Sequence, residues 1–391
     1  MLIEIRGVQF VNKGAELMLH ACLEQIKVHW PEAQIALAPN KNSPYRARAL
    51  LGALQKLPLR FRGYDFNGLS YWLPKGFRQF LRHWLGVVFE ADIDWVLDAS
   101  GFAYGDQWGG RNVTVLSAEI LRLQRHQKGY VLLPQALGPF SKRADQQKLK
   151  RAIPAAWLVC PRDDASFEHL HSIVGNSTNV QQFADFTNLL APMMPATITP
   201  VAPAKSICLI IPNSAMLSQK NRNPQWQANY MRVLELAVAT ALDQQMTPVL
   251  LNHEGVADAA ICQQLADKFQ PVLNIIEESD PRKVKGWIAQ SGLVVCSRFH
   301  GCVSALSSGV PCLGTSWSHK YEALFGEYRQ SECLLAPDVD AAELQRLFHV
   351  ARAKSLSAEA VTARGHFQQQ SLQMWDQVVK VVSQRQRVSS E

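Results

Sequence analysis

An arginine and a histidine two positions apart, Arg298 and His300, stand where the apolar run Leu293-Val294-Val295-Cys296 stops and Ser297-Arg298-Phe299-His300-Gly301 begins. A guanidinium offers a planar fork for phosphate or carboxylate, and an imidazole offers a proton near neutral pH. The pair points to an enzyme acting on an anion. A single histidine is more often a structural group held by a backbone partner, and the chain has 11 of them; position is what singles out His300. Other polar clusters end apolar runs in the same way. In Asn12-Lys13-Gly14-Ala15-Glu16, Gly14 lets backbone amides approach a ligand. Asp98-Ala99-Ser100-Gly101-Phe102 leads into a loop with Tyr104, Asp106 and Trp108, where aromatic and short polar groups suit a sugar or simply order the loop. Gln135 brings an amide to a turn rich in proline and glycine, which is also readable as turn chemistry alone. Arg162 is either a second anion clamp or the partner of a helix-capping Asp163 or Asp164. Lys320 is a third cation or a plain surface lysine. No set of histidines and carboxylates has metal-ligand spacing, and neither a Gly-x-Ser-x-Gly elbow nor a Gly-Lys-Ser/Thr phosphate loop is present.

These clusters need a scaffold that gathers strand ends. The apolar runs mostly lack in-out alternation, as strands buried on both faces do, and they take turns with longer helical patterns. Strands are expected at 3–8, 34–38, 94–98, 129–133 and 157–160, with helices at 13–28 and 43–54. After a stretch containing Pro192, Pro195, Pro200 and Pro203, strands follow at 207–211, 247–251, 293–296 and 310–314, with helices at 225–244, 258–269 and 281–290. The fold class is α/β, with two Rossmann-like, doubly wound domains facing a cleft. Their expected bounds are 1–190, a linker at 191–205, 206–335, and closing helices over 336–391. In open parallel sheets ligands bind beyond the carboxyl ends of the strands, where a following helix turns its amides toward them.

At 391 residues and 47% hydrophobic content the chain is a globular protein of about two domains. No run reaches the roughly 20 apolar residues of a spanning helix, and a cytoplasmic protein is expected. The eight cysteines are spread singly through apolar runs and read as reduced core thiols. The net charge of +7 is uneven: 41–86 carries nine basic residues against Asp65 alone. Within it, 69–89 interleaves aromatics and cations. That segment either lies on an anionic membrane surface or a lipid-linked substrate, or is an amphipathic helix whose aromatics belong to the core. Nucleic acid is not expected as a partner, because no recognition motif accompanies the charge.

In order, Asn12-Lys13-Gly14, Leu133-Pro134-Gln135-Ala136-Leu137-Gly138-Pro139-Phe140, Arg162-Asp163-x-x-Ser166, Arg298-Phe299-His300, Gly309-Val310-Pro311 and Lys320 resemble the polysaccharide pyruvyl transferase family. The resemblance implies a GT-B-like enzyme that moves a pyruvyl group from phosphoenolpyruvate onto sugar hydroxyls of a cell-surface polysaccharide or its lipid-linked precursor, forming a ketal. It needs no metal or other cofactor. It implies that Arg162 and Arg298 hold the donor's phosphate and carboxylate, that His300 is the acid/base, that Phe299 contributes a backbone contact and that Lys320 steadies the departing phosphate. The acceptor side is then the first domain, with Asn12, Gly14, Glu16, Ser100, Gly101 and Gln135 as loop contacts and the basic segment at 41–89 governing acceptor choice. Its place would be the cytoplasm, peripheral at the inner face of the membrane. Ala15 stands where the family often has an acidic residue. Two other readings fit the same residues: a GT-B glycosyltransferase using a nucleotide sugar, with Arg298 on the diphosphate, and a non-catalytic glycan or sugar-phosphate binding protein.

Overall fold

The computed structural model describes residues 1–61, 64–195, 204–219, 221, 223–316 and 318–388. Residues 196–203 of the expected linker, Arg62 of the basic segment and Trp317 lie outside them. The chain divides into two compact units: Met1–Phe10, Met18–Leu189 and Gln370–Glu391 form the first, and Val11–Leu17 with Leu190–Gln369 the second.

In the first unit the strands are β1 (Leu2–Arg6), β2 (Gln34–Leu37) and β3 (Leu54–Lys56), an antiparallel hairpin of β4 (Arg60–Phe61) and β5 (Tyr64–Asp65), then β6 (Val87–Val88), β7 (Trp95–Asp98), β8 (Gly129–Gln135) and β9 (Leu158–Pro161). Apart from the hairpin they form one parallel sheet in the order β6-β3-β2-β1-β7-β8-β9. Its helices are α1 (Lys13–His29), whose first turn lies in the second unit's stretch, α2 (Tyr45–Leu50), α3 (Lys75–Leu85), α4 (Gly110–Arg125), α5 (Arg143–Ala152) and α6 (Asp164–Val174). β7 and β8 are buried along their whole length, which is why no alternation marks them in the sequence.

The second unit contributes β10 (Ile207–Ile211), α7 (Pro224–Asp243), β11 (Thr247–Asn252), α8 (Gly255–Ala266), β12 (Asn274–Glu277), α9 (Pro281–Gln290), β13 (Leu293–Cys296), α10 (Phe299–Ser307), β14 (Cys312–Gly314), α11 (His319–Glu327) and α12 (Ala341–Ser355). Its parallel sheet runs β12-β11-β10-β13-β14. In both sheets the strand order reverses at the first strand, between β1 and β7 and between β10 and β13. That is the topological switch point at which open α/β sheets hold ligands. The last helix, α13 (Ala358–Val388), begins in the second unit and ends in the first. There Trp375 meets Phe186 edge-on at 6.4 Å and Arg385 donates to the carbonyls of Gln127 (2.7 Å) and Asp94 (3.0 Å).

Three local expectations are corrected. The helix expected over 43–54 is only Tyr45–Leu50, because Gly52 turns left-handed at φ 69° and the chain leaves as β3. β12, outside the strands expected from the sequence, is an edge strand with a half-exposed side-chain pattern, Ile275 and Ile276 standing between Asn274 and Glu277. The aromatics of α3 and of the turn before it are not core, for α3 buries none of its residues and Trp72 is 87% and Trp84 69% exposed; within 69–89 the buried aromatic is Phe89, past the helix. The eight cysteines are free and buried, and burial pushes the thiols of Cys208, Cys262 and Cys333 up to about 12. Among the described residues no helix is long and apolar enough to cross a membrane.

Candidate active site

At the switch point of the second unit, β13 ends at Cys296 and α10 starts at Phe299, with Arg298 in the capping position. Ser297 fixes the turn. Its hydroxyl accepts from Tyr230 (2.7 Å) and Thr315 (2.8 Å), and its carbonyl accepts from Asn213 Nδ2 (2.8 Å) and Tyr321 (2.9 Å). Every one of those partners is buried, so the backbone that carries Arg298 and His300 is held from four directions.

The guanidinium of Arg298 is already engaged. Nε (2.9 Å) and Nη2 (2.5 Å) both donate to Asp258 Oδ2, and Nη1 pairs with Glu254. Asp258 is fully buried and also accepts the amide of Ser214 at 2.9 Å. Burial disfavours the arginine's charge, but Asp258 and Glu254 outweigh it and lift the Arg298 pKa above its ordinary value. Glu254 continues outward to Asn12 Nδ2 at 3.2 Å. Asn12 in turn caps α1, accepting from the amides of Gly14 (2.9 Å) and Ala15 (3.2 Å). Lys13 pairs with Glu16 at 2.9 Å and donates to the Ser279 carbonyl at 2.5 Å. Burial raises the Glu16 pKa, partly offset by Lys13.

His300 sits in the first turn of α10, and Gly14 lies against its ring: a Cβ at Gly14 would meet His300 Cγ at 2.8 Å. The first-loop glycine therefore makes room for the imidazole, a closer role than opening amides to a ligand. Phe299 is buried, edge-on to His300 at 5.5 Å and to Tyr321 at 5.7 Å. Lys320, second in α11, places Nζ 4.9 Å from the Phe299 ring centre, a cation–π contact that holds its charge beside the same turn.

Sequence reasoning missed Asn213, His253, Glu254 and Asp258. Asn213 follows β10, and the other three follow β11, the next strand out from β13 across β10. His253 is buried, and its Nδ1 has no hydrogen-bond partner among the described residues. Burial, then the charges of Arg298, His300 and Lys13, push its pKa well below the ordinary value. It lies at the same end of the sheet.

The other expected residues lie in the first unit. Ser100 Oγ donates to Asp98 at 2.5 Å. Gly101 has φ 69°, and a Cβ there would meet Met18 Cε at 2.8 Å. Gln135 is buried, donating to the carbonyls of Asp98 and Leu133 at 3.3 Å each, while its Oε1 has no partner among the described residues. Asp163 caps α6 by accepting from Ser166 N at 2.8 Å. Arg162 does not pair with the capping aspartates; its Nη1 meets Asp185 Oδ2 at 3.2 Å.

Among solved structures, the chain is similar to UDP-GlcNAc 2-epimerase from Neisseria meningitidis bound to UDP-GlcNAc (12% identity, 97% of this chain and 99% of that one, TM-score 0.56). It is similar also to Acinetobacter baumannii MurG (12%, 97% and 99%, 0.51) and to UDP-GlcNAc 2-epimerase of Methanocaldococcus jannaschii (10%, 98% and 99%, 0.51). At such identities the likeness is one of fold: two Rossmann-like domains of the GT-B class. No curated protein matches the sequence. The model of one family does match, over residues 12–319, a stretch that opens on the Asn12 cap, contains Arg162, Arg298 and His300, and stops one residue before Lys320. The chain belongs to the polysaccharide pyruvyl transferase family.

Proposed function

We propose that this protein transfers the pyruvyl group of phosphoenolpyruvate onto two hydroxyls of a surface glycan or its lipid-linked precursor, forming a cyclic ketal. The observation that carries the reading is His300 in the first turn of α10, beside Arg298, at the switch point of the second unit's sheet and inside the stretch 12–319 that the family matches. Phosphoenolpyruvate carries up to three negative charges, and an arginine, a helix N-terminus and Lys320 all favour an anion there. Asp258, buried and doubly held, keeps Arg298 oriented. Glu254, whose side chain is 25% exposed, is the carboxylate that the donor displaces. Arg162 of the first unit is proposed as a further donor ligand.

The chemistry balances without redox change. Protonated His300 gives its proton to the methylene carbon, C2 becomes an oxocarbenium, and a sugar hydroxyl adds while its proton returns to the imidazole. The C2–O bond to phosphate then breaks with its electron pair going to phosphate, and the second hydroxyl closes the ketal while its proton passes to the departing phosphate, which leaves as the hydrogen phosphate dianion. Lys320 and Arg298 stabilise the leaving dianion. Calorimetry with phosphoenolpyruvate and with UDP-sugars tests this. Binding of the first alone supports it, and binding of the second alone overturns it in favour of a nucleotide-sugar enzyme.

Because a methyl at Gly14 needs the space of the His300 ring, Gly14→Ala is expected to lower turnover roughly 100-fold through displacement of about an ångström. Steady-state kinetics of the variant check this; unchanged kcat would show that the ring does not need its place.

The proposal extends to the membrane. The unburied aromatics of α3 and its flanks, with the exposed Lys75 among them, fit an anionic lipid surface. Co-sedimentation with phosphatidylglycerol vesicles is expected at low salt and should weaken several-fold between 0.1 and 0.5 M salt, since screening shortens the reach of exposed charges. Trp72→Ala with Trp84→Ala should abolish it. A chain that stays in the supernatant at low salt would contradict this part of the reading.

A further inference from the structure

The first unit has its own cavity, of about 350 Å³, at the carboxyl end of its sheet. That volume falls within the range of about 300–1,000 Å³ usual for small-ligand pockets. Its walls include Arg6, Arg60 and Arg111 together with Ser100, Tyr104 and Asn112. Arg6 is the last residue of β1, Ser100 follows β7, and Arg111 is in the first turn of α4, so the cavity opens at the switch point between β1 and β7.

No acid is among these lining residues. The carboxylates that balance the arginines lie behind them. Glu119 is buried and is shared by Arg6, Lys56 (3.3 Å) and Arg60 (3.9 Å), and Glu4 pairs with Lys56. Asp98, also buried, is occupied by the hydroxyls of Tyr104 and Tyr130, each at 2.6 Å, and by Ser100. Asp65, opposite Arg60 in the hairpin, is likewise turned away, to Arg122 at 3.1 Å, so the charged side chains that border the cavity are Arg6, Arg60 and Arg111. Burial and then the like charge of Arg6 press the Arg60 pKa down, against the opposing pull of Asp65 and Glu4. Arg111 is exposed.

We infer that this cavity is an anion site of the first unit, taking a sugar that carries a phosphate or a carboxylate. Arg60 and Arg111 grip the charged group, Arg6 forms the fixed floor, and Tyr104 and Asn112 border the sugar ring. In the pyruvyl-transfer reading, on which only the word acceptor rests, the acceptor is an acidic or phosphorylated glycan.

Calorimetry on the full chain with glucose 1-phosphate, glucuronic acid and glucose tests this. At least one of the two charged sugars binds, and whichever does so names the source of the anion; glucose binds at least tenfold more weakly. Arg111→Gln and Arg60→Gln, both outside the core, each weaken that binding roughly tenfold, the usual worth of a charge-assisted hydrogen bond, and leave phosphoenolpyruvate affinity unchanged. Equal binding of glucose, no binding of any of the three, or binding that ignores both substitutions overturns the inference. A chain that binds the charged sugar but not phosphoenolpyruvate overturns the donor reading and leaves this one standing.

Discussion

Replacing His300 with alanine is expected to reduce turnover by roughly two to four orders of magnitude, the usual worth of a positioned general acid/base, while phosphoenolpyruvate still binds within a few-fold of the wild-type affinity. In the proposed reading the donor's charge is met by Arg298, Lys320 and the first turn of α10, none of which depends on the imidazole. Arg298 is fixed by Asp258 and Glu254, and the backbone of the turn by the four bonds to Ser297. The ring's own surroundings are Gly14 and the edge of Phe299, which position it without replacing its proton. Single-turnover kinetics with separate measurement of donor binding distinguish the roles. Equal loss of binding and turnover would make His300 a ligand of the donor, and loss of neither would make it structural.

Asp258→Ala is expected to destabilise the fold by about 3–5 kcal/mol, the cost of leaving one charge of a buried pair uncompensated. Asp258 is fully buried and holds Arg298 through two donors and Ser214 through its amide, so the alanine strands three hydrogen-bond donors at once. Those donors come from two loops at the switch point, after β10 and after β13. The loss should therefore spread to both. Asp258→Asn, which keeps one acceptor, should cost less. Urea denaturation of the two variants checks the order; a change below about 1 kcal/mol for the alanine would mean that water reaches Arg298 and replaces the carboxylate.

The parts of the site visible in the sequence are those written in one local stretch. β13 and the turn after it could be read because a run buried on both faces stops at a charged pair. Asp258 could not, because its partner lies 40 residues away and nothing within 255–266 distinguishes it from an ordinary acid of an exposed helix face. His253 and Glu254 escaped for the same reason. α3 shows the limit from the other side: its periodicity reveals a stripe of aromatics but not which stripe meets protein. Arg78 pairs with Asp92 and Arg82 with Gln34, so the polar stripe faces the fold and the aromatic one faces out. Arg162 beside two aspartates suggested a local pair, yet β9 delivers it to Asp185 after the helix. β3 is only three residues long with two of them polar, and β12 is a half-exposed edge strand, so neither has the fully buried run that marks the central strands.

The claim at the centre of this account is pyruvyl transfer from phosphoenolpyruvate. Phosphate release from that donor, measured with the intact chain and a panel of surface glycans and lipid-linked oligosaccharides, with carbon-13 NMR of the product, tests it most directly. Release should require a glycan acceptor, with one ketal carbon formed per phosphate and both lost in His300→Ala. No release with any acceptor, together with no binding of phosphoenolpyruvate, would contradict it.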